Sequence, residues 1–370
     1  MDWREHYSVS KQLLDLSNTF GASVASSERL AGRKRMIRMR VIGCRRDALD
    51  KLPNGHGGSA SFTVSAASPT SRLFIGTTTR PELADYPHLP FRVESLGDPA
   101  AIVILGISTS KLWKEIVDRF VREAYPALFP VFLRQQDLKD VVAALEQGLR
   151  KDEELRLMRV SRQRRQLNGE SRREYDSEVA WTDRKLDEVF SEATEQGLFL
   201  KRMSFRVCRQ IPGRQPRDTD LEGIIGSNAE FAVTERASWM HSAGLQVALK
   251  AIRGATTLAR DRARKPGQSV ARTIIAQLVD ETITQDKLRS VAARLRRMPK
   301  ASVSIIHGNP YLHARVVDFN DGSAFELLLV SPSRFMLVPQ LRATEGAVTR
   351  LCQYIYEHVG EAEFLDGTAT

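Results

Sequence analysis

The stretch that most constrains the fold is the C-terminal seventy residues, 301–370, where short apolar runs alternate with strong turn chemistry. Residues 303–306 are apolar and lead into His307-Gly308-Asn309-Pro310, a turn. Residues 313–319 read as a strand, and Asn320-Asp321-Gly322-Ser323 follows as a hairpin turn, because Asn, Asp and Gly tolerate positive φ at low cost. Residues 325–330 and 335–338 read as two more strands, and residues 344–358 as a helix. The pattern predicts an antiparallel meander closed by a helix.

Upstream, residues 9–20 carry Leu13, Leu14, Leu16 and Phe20 at helical spacing. In residues 36–42, Met36, Arg38 and Arg40 alternate with Ile37, Met39 and Val41, which predicts a half-buried strand with two arginines on its solvent side. Residues 101–105 read as a buried strand. Leu112, Trp113, Ile116, Val117, Phe120 and Val121 then form one helical stripe, ended by Pro126 and Pro130. A second helix is expected over 137–149.

The chain has 370 residues, so at about 150 residues per domain it divides into two or three domains. Residues 1–149 read as an N-terminal α+β domain and 150–176 as a basic helical linker. Residues 177–270 read as a helix–strand–strand–helix unit. Residues 271–370 read as a helix, meander and helix, with 274–279 helical. The predicted fold class is α+β, with antiparallel β-meanders packed against helices.

Several chemistries are excluded or disfavoured by composition. Cys44, Cys208 and Cys352 are far apart, odd in number and set in apolar contexts, which argues against a structural zinc site and for core packing. The longest apolar run, 100–107, is far short of the roughly 20 residues that span a bilayer. Residues 1–10 lack the apolar core of a secretory leader. A cytoplasmic protein without a membrane partner is expected. Asn54-Gly55-His56-Gly57-Gly58-Ser59 is followed by an alternating strand, so it reads as a hairpin tip, not as a phosphate loop.

Two groups of acids and histidines come into question. His307, His313, Asp318 and Asp321 could run acid–base chemistry. Five residues separate His313 from Asp318, however, which places them on opposite faces of a strand, and turn formation accounts for the rest. Asp218, Asp220 and Glu222, near Glu230, could hold metals in a nuclease, but a solvated loop is the expectation there. Asp321 and Glu326 have something of a restriction-type nuclease core, but Leu328 stands where that core needs a lysine. No catalytic residue, metal ligand or cofactor is therefore assigned.

The charge balance is the remaining signal. The formal net charge is +10, and 42 arginines outnumber 13 lysines. Such a balance points to a polyanion, nucleic acid first. Aromatics are not interleaved with the basic runs, which argues for phosphate contacts over base stacking. The expected function is a non-enzymatic nucleic-acid-associated protein, DNA or RNA, with Arg162, Arg164, Arg165, Arg262, Arg264, Arg296 and Arg297 as the contacts. A protein–protein adaptor or scaffold subunit, self-association included, is the alternative, and a metal-dependent nuclease is the third reading.

Overall fold

The computed structural model describes residues 36–45, 47–57, 60–84, 87–95, 101–164, 178–195, 198–212, 217–234, 236, 239–267, 272–279, 282–308 and 311–367. The helix expected over 9–20 and Arg165 lie outside the described residues. The chain has two compact units. The first holds the described residues up to Arg162, with Val179–Glu192 and Leu200–Arg253; the second holds Gln163–Glu178, Ala193–Phe199 and Gly254–Thr370 where described. The fold is α+β with antiparallel sheets, as the sequence predicts.

The first unit is built on a large sheet centred on β1 (Met36–Cys44). On one side lie β6 (Ala101–Ser108), β5 (His88–Ser95), β4 (Ser71–Thr78), β3 (Ala60–Ala67) and β2 (Gly55–Gly57), in that order. On the other lie β12 (Glu230–Val233), β11 (Arg217–Gly226), β10 (Leu198–Arg209), β8 (Glu153–Arg164) and β9 (Glu178–Arg184), and β7 (Leu128–Phe129) also pairs with β1. The segments 1–149 and 177–270 are thus not separate sheets. They join where Ile37 pairs with Val233 and Arg40 with Glu230.

Local expectations fail here where short runs are ambiguous. Residues 153–164 form a strand, not an exposed linker helix: Glu153, Leu155 and Leu157 are buried in alternation, a period of two. Residues 178–184 are likewise strand, and the helix α3 starts only at Leu186, running to Glu195. Asp218, Asp220 and Glu222 lie on β11, not in a loop.

One helix fixes the shape of the first half. Helix α1 (Ser110–Glu123) is capped by Thr109, whose side chain accepts from the Leu112 amide. Its predicted stripe, Leu112, Trp113, Ile116, Val117, Phe120 and Val121, is buried in a core with Phe62, Phe74, Phe91, Ile42 and Ile104. Phe120 meets Phe62, Phe74 and Phe91 edge-on, with ring centroids 5.2, 4.9 and 5.0 Å apart. A buried side chain of this size contributes roughly 1.5–3 kcal/mol, against about 0–1 kcal/mol for an exposed ion pair. Apolar burial therefore decides where α1 sits. Gly76 on β4 permits the close approach, since a Cβ there would lie 2.4 Å from Ile116 Cγ2.

Helix α2 (Gln135–Gln147) buries Leu138, Val141, Val142 and Leu145. A π-helical turn, Met240–Leu245, leads into α4 (Gln246–Ala259). Next to them Glu153, wholly buried, accepts two bonds from Arg236, at 2.7 and 2.8 Å. The Arg236 guanidinium holds the Glu153 carboxyl at about 2, well below the usual carboxylate range.

The second unit has a six-stranded antiparallel sheet. Its order is β14 (Ala301–His307), β15 (His313–Asp318), β16 (Ala324–Ser331), β17 (Arg334–Pro339), β13 (Ile274–Leu278) and β18 (Ala362–Asp366). The meander is as expected, with Gly322 at φ +73° in the hairpin turn. Residues 274–278 are strand where a helix was expected; Ile274, Ala276 and Leu278 are buried in alternation between β17 and β18. Helices α5 (Gln285–Leu295) and α6 (Glu345–His358) are joined by hydrogen bonds from Tyr354 Oη to the Arg294 carbonyl and from Arg294 to the His358 carbonyl, each 2.6 Å.

Two outcomes follow from this packing. Gly76→Ala forces the sheet and α1 apart and lowers stability by about 1–3 kcal/mol in urea denaturation, and an unchanged midpoint would contradict the close contact. Glu153→Gln costs roughly 2–3 kcal/mol at pH 7. The folded pKa of Glu153 is depressed, so its stabilisation is present above pH 4.5 and is lost as the pH falls toward 2. Wild type and variant therefore converge in stability across that window.

Candidate anion-binding pocket

The solvent side of the first unit's core carries a concavity of about 600 Å³, within the range of small-ligand sites. It is lined by Arg40 of β1, Arg80 and Leu83 of the turn at Pro81–Leu83, and Pro130 and Asn228. The outer face of α1 supplies Lys111, Lys114, Glu115, Asp118 and Arg122, and Val121 reaches the pocket from the edge of the buried stripe. Five cations and two carboxylates line it, and a third carboxylate, Glu82, pairs with Lys111, so two positive charges remain in excess. The spacing of Lys111, Lys114, Glu115, Asp118 and Arg122 puts them on one helical face, opposite the buried stripe.

The floor is set by two arginines of β1. Both were expected on a solvent face, yet Arg38 is 1 % and Arg40 is 7 % exposed. They share the β1 face of Ile42 and Cys44, which pack into the α1 core. Burial pushes the Arg38 guanidinium below its ordinary value; the Glu230 carboxylate opposes this and the Arg202 charge adds to it. Arg38 bonds Glu230 at 2.7 Å, Ser110 Oγ at 2.5 Å and the Ser108 carbonyl at 3.2 Å. It ties β1 to β12 and to the first turn of α1. Arg40 bonds Asp118 through one Nη, while its buried Nε has no hydrogen-bond partner among the described residues. An unsatisfied buried donor costs about 1–3 kcal/mol.

The upper cations differ in how far they are neutralised. Arg80 meets Glu115 at 3.0 Å, and Lys111 meets Glu82 at 3.1 Å. Lys114 has no ion-pair partner among the described residues, and Arg122 donates to the Asp118 backbone carbonyl at 3.3 Å. The first turn of α1 holds no acidic residue, so the positive end of the helix dipole adds to the charge there.

The arginines expected from sequence sit elsewhere. Arg162 and Arg164 lie on β8, and none of Arg262, Arg264, Arg296 and Arg297 lines the pocket. Arg262 is structural, with a side chain 1 % exposed that bonds Asp366 at 3.0 and 3.1 Å and the carbonyls of Leu258 and Thr273. That withdraws it from any interface. Arg264 is half-buried beside Gln340, and Arg296 and Arg297 are exposed at the end of α5. The pocket cations lie outside the basic runs of the chain. The signal for them was the polar face of α1, read at a spacing of three and four residues.

The acid and histidine groups are dispersed. His313 faces Glu326 at 3.3 Å, while Asp318 is buried on the other face of β15 against Arg350. Asp321 accepts from the Ser323 amide and the Thr344 hydroxyl, at the start of α6. Glu230 is held by Arg38, so it is unavailable to a carboxylate cluster. Among the described residues no three His, Cys, Asp or Glu side chains gather around one point. The three cysteines are buried, and burial pushes the Cys352 thiol up to about 12. Among the described residues no helix is long and apolar enough to cross a membrane.

No protein-family model matches this chain, and no curated protein matches its sequence. The reading of function therefore stands on the pocket.

The two kinds of arginine separate in denaturation. Arg262→Ala lowers stability by about 2–4 kcal/mol, since it leaves two carbonyls and Asp366 without their donor. Arg296→Ala changes it by less than about 0.5 kcal/mol. Equal effects would show that the buried guanidinium is dispensable.

Proposed function

We propose that this is a binding protein for phosphate-bearing polyanions, nucleic acid first, and that the α1 pocket of the first unit makes the contact. The observation that carries the reading is the convergence of Arg40, Arg80, Lys111, Lys114 and Arg122 on one concavity, where Lys114 and Arg122 remain after the other three pair with Asp118, Glu115 and Glu82. Low-dielectric walls focus such a field and attract anions. Lysine and arginine donors at this density suit phosphate oxygens. Among the described residues no aromatic side chain lines the pocket, which favours phosphate contact over base stacking.

A second reading, docking of a protein partner, draws on the second unit. Cross-strand register places Leu328, Met336, Ile275 and Leu365 in one row across four strands, on the face away from the buried side chains. Leu365 is 50 % exposed. The row is narrow, and the charged pocket supports the first reading more strongly.

Filter binding of an oligonucleotide over a salt series tests the proposal. The wild-type protein binds at low salt and weakens steeply as salt rises. Lys114→Ala flattens the slope of log K against log salt by about 0.7–0.9, one phosphate contact. Asp118→Asn, which removes a negative charge from the pocket, tightens binding instead. Absence of binding at low salt, or the same slope in all three proteins, would end the proposal.

A further inference from the structure

We infer that the outer edge of β14 is where two copies of this chain pair, strand against strand, about a twofold axis at Val303. β14 is a terminal strand of the second unit's sheet, and among the described residues no strand pairs with its outer edge. The direction of the backbone groups follows from one bond. The Lys300 carbonyl accepts from the Phe319 amide at 2.9 Å, so these two residues form a hydrogen-bonded pair. Antiparallel ladders alternate, so Ser302 and Ser304 turn their amides and carbonyls toward β15, and Ala301, Val303 and Ile305 turn theirs outward. The Asp318 amide agrees: opposite Ala301, it donates away from β14, to the Ser323 carbonyl at 2.8 Å. A row of outward amides and carbonyls is a template for another strand. Sheet edges are ordinarily blunted by charge or proline, and β18, at the other edge, carries Glu363 and Asp366. Residues 301–306 hold neither charge nor proline.

The side chains select the strand that fits. Val303 and Ile305 lie opposite Val316 and Ala314 of β15, which are buried. Val303 and Ile305 themselves are only half-buried, with no strand on their outer side among the described residues. Ser302 and Ser304 are exposed on the opposite face. The regular ladder runs to Ile305 and shifts before His307. Within it, Ala301-Ser302-Val303-Ser304-Ile305 alternates apolar and serine in the same order from either end. A strand that pairs antiparallel with its own copy needs that property, because a twofold interface is complementary to itself. About Val303, each Ser302 faces the second copy's Ser304, each Ala301 faces the second copy's Ile305, and the two Val303 residues face each other. Serine then meets serine on one face, and apolar meets apolar on the other. A shift by one residue sets valine and isoleucine against serine. A strand of another protein would use the same backbone groups, but it would not require β14 to read alike in both directions. In the pair, Ala301, Val303 and Ile305 of each copy exchange hydrogen bonds across the axis, and the two six-stranded sheets run on as one.

The test is sedimentation of the full chain over a concentration series. The expected result is a reversible doubling of mass as concentration rises. Val303→Pro removes the outward amide at the axis, which the ladder with β15 does not use, and edge strands tolerate proline at such a place. Ser304→Lys sets a charge on the exposed face beside the axis, the device that blunts natural edges. Each variant returns the mass to that of the monomer, and circular dichroism verifies that each keeps its fold. Cysteines read the register. Ser302→Cys protein mixed with Ser304→Cys protein and oxidised with diamide yields more disulfide-linked dimer than either variant alone. A wild-type chain that stays monomeric at every concentration overturns the inference. Slow hydrogen exchange at the Val303 amide of that monomer would show the edge covered by the chain itself. A doubled mass that survives in either folded variant also overturns it, because the copies then meet elsewhere. Preferential self-linking of Ser304→Cys overturns the axis at Val303.

Discussion

The first unit depends on the burial of two guanidiniums in its central strand. Strand β1 pairs with β6 on one edge and β12 on the other, so both halves of the sheet hang on it. Arg38 sits in that seam with its charge almost wholly withdrawn from water. Desolvating an ion costs several kcal/mol, and only a well-placed counter-charge with further hydrogen bonds offsets it. Glu230 supplies the counter-charge from β12, and Ser108 and Ser110 supply acceptors from β6 and α1. A hydrophobic pair could fill the same space at lower cost, but it would not bind three elements directionally. Register between β1 and β12 is thereby coupled to the placement of the first turn of α1.

That coupling explains why a charged concavity exists at all. Apolar burial sets the inner face of α1 against β3, β4 and β5, and Gly76 lets the helix come close. The outer face then has no choice but to project its lysines and carboxylates outward. Arg40, two residues from Arg38 and on the same face of β1, reaches Asp118 from below and so places a strand residue under a helix surface. The pocket is built from one helix, one strand and a short turn, each held by the core and not by the charges themselves. Exposed pairs such as Lys111 with Glu82 contribute little to stability and leave the lysine able to exchange partners.

Legibility followed the range of the interaction that decides each feature. The meander and its hairpin turn were readable because turn chemistry acts within four residues. Asp321, Gly322 and Ser323 do there what their side chains and backbone freedom predict. The α1 stripe was readable because its period is unambiguous over three turns. Strands β8 and β13 were not, since a short apolar run suits helix and strand alike until neighbours on both edges are known. The buried arginines were illegible for a stronger reason. Arg38 finds Glu230 192 residues away, and Arg262 finds Asp366 104 residues away. Nothing local marks either as a core residue, and a rule that sends arginine to solvent fails at both.

The same contrast bears on function. A net charge of +10 invites a search for dense basic runs, but density along the chain says little about density in space. Arg262, in one of the densest runs, spends four of its five donors on a carboxylate and two carbonyls. Lys111, Lys114 and Arg122 are spread over twelve residues with acids between them, yet the helix collects them on one side of a cavity. What matters for an anion is the surplus left after internal pairing, confined to a place that solvent screens poorly. In the α1 pocket, Lys114 and Arg122 are what remains after Arg40 pairs with Asp118, Arg80 with Glu115 and Lys111 with Glu82, and they stand together because a helix amphipathic for packing is, on its other side, ordered for charge.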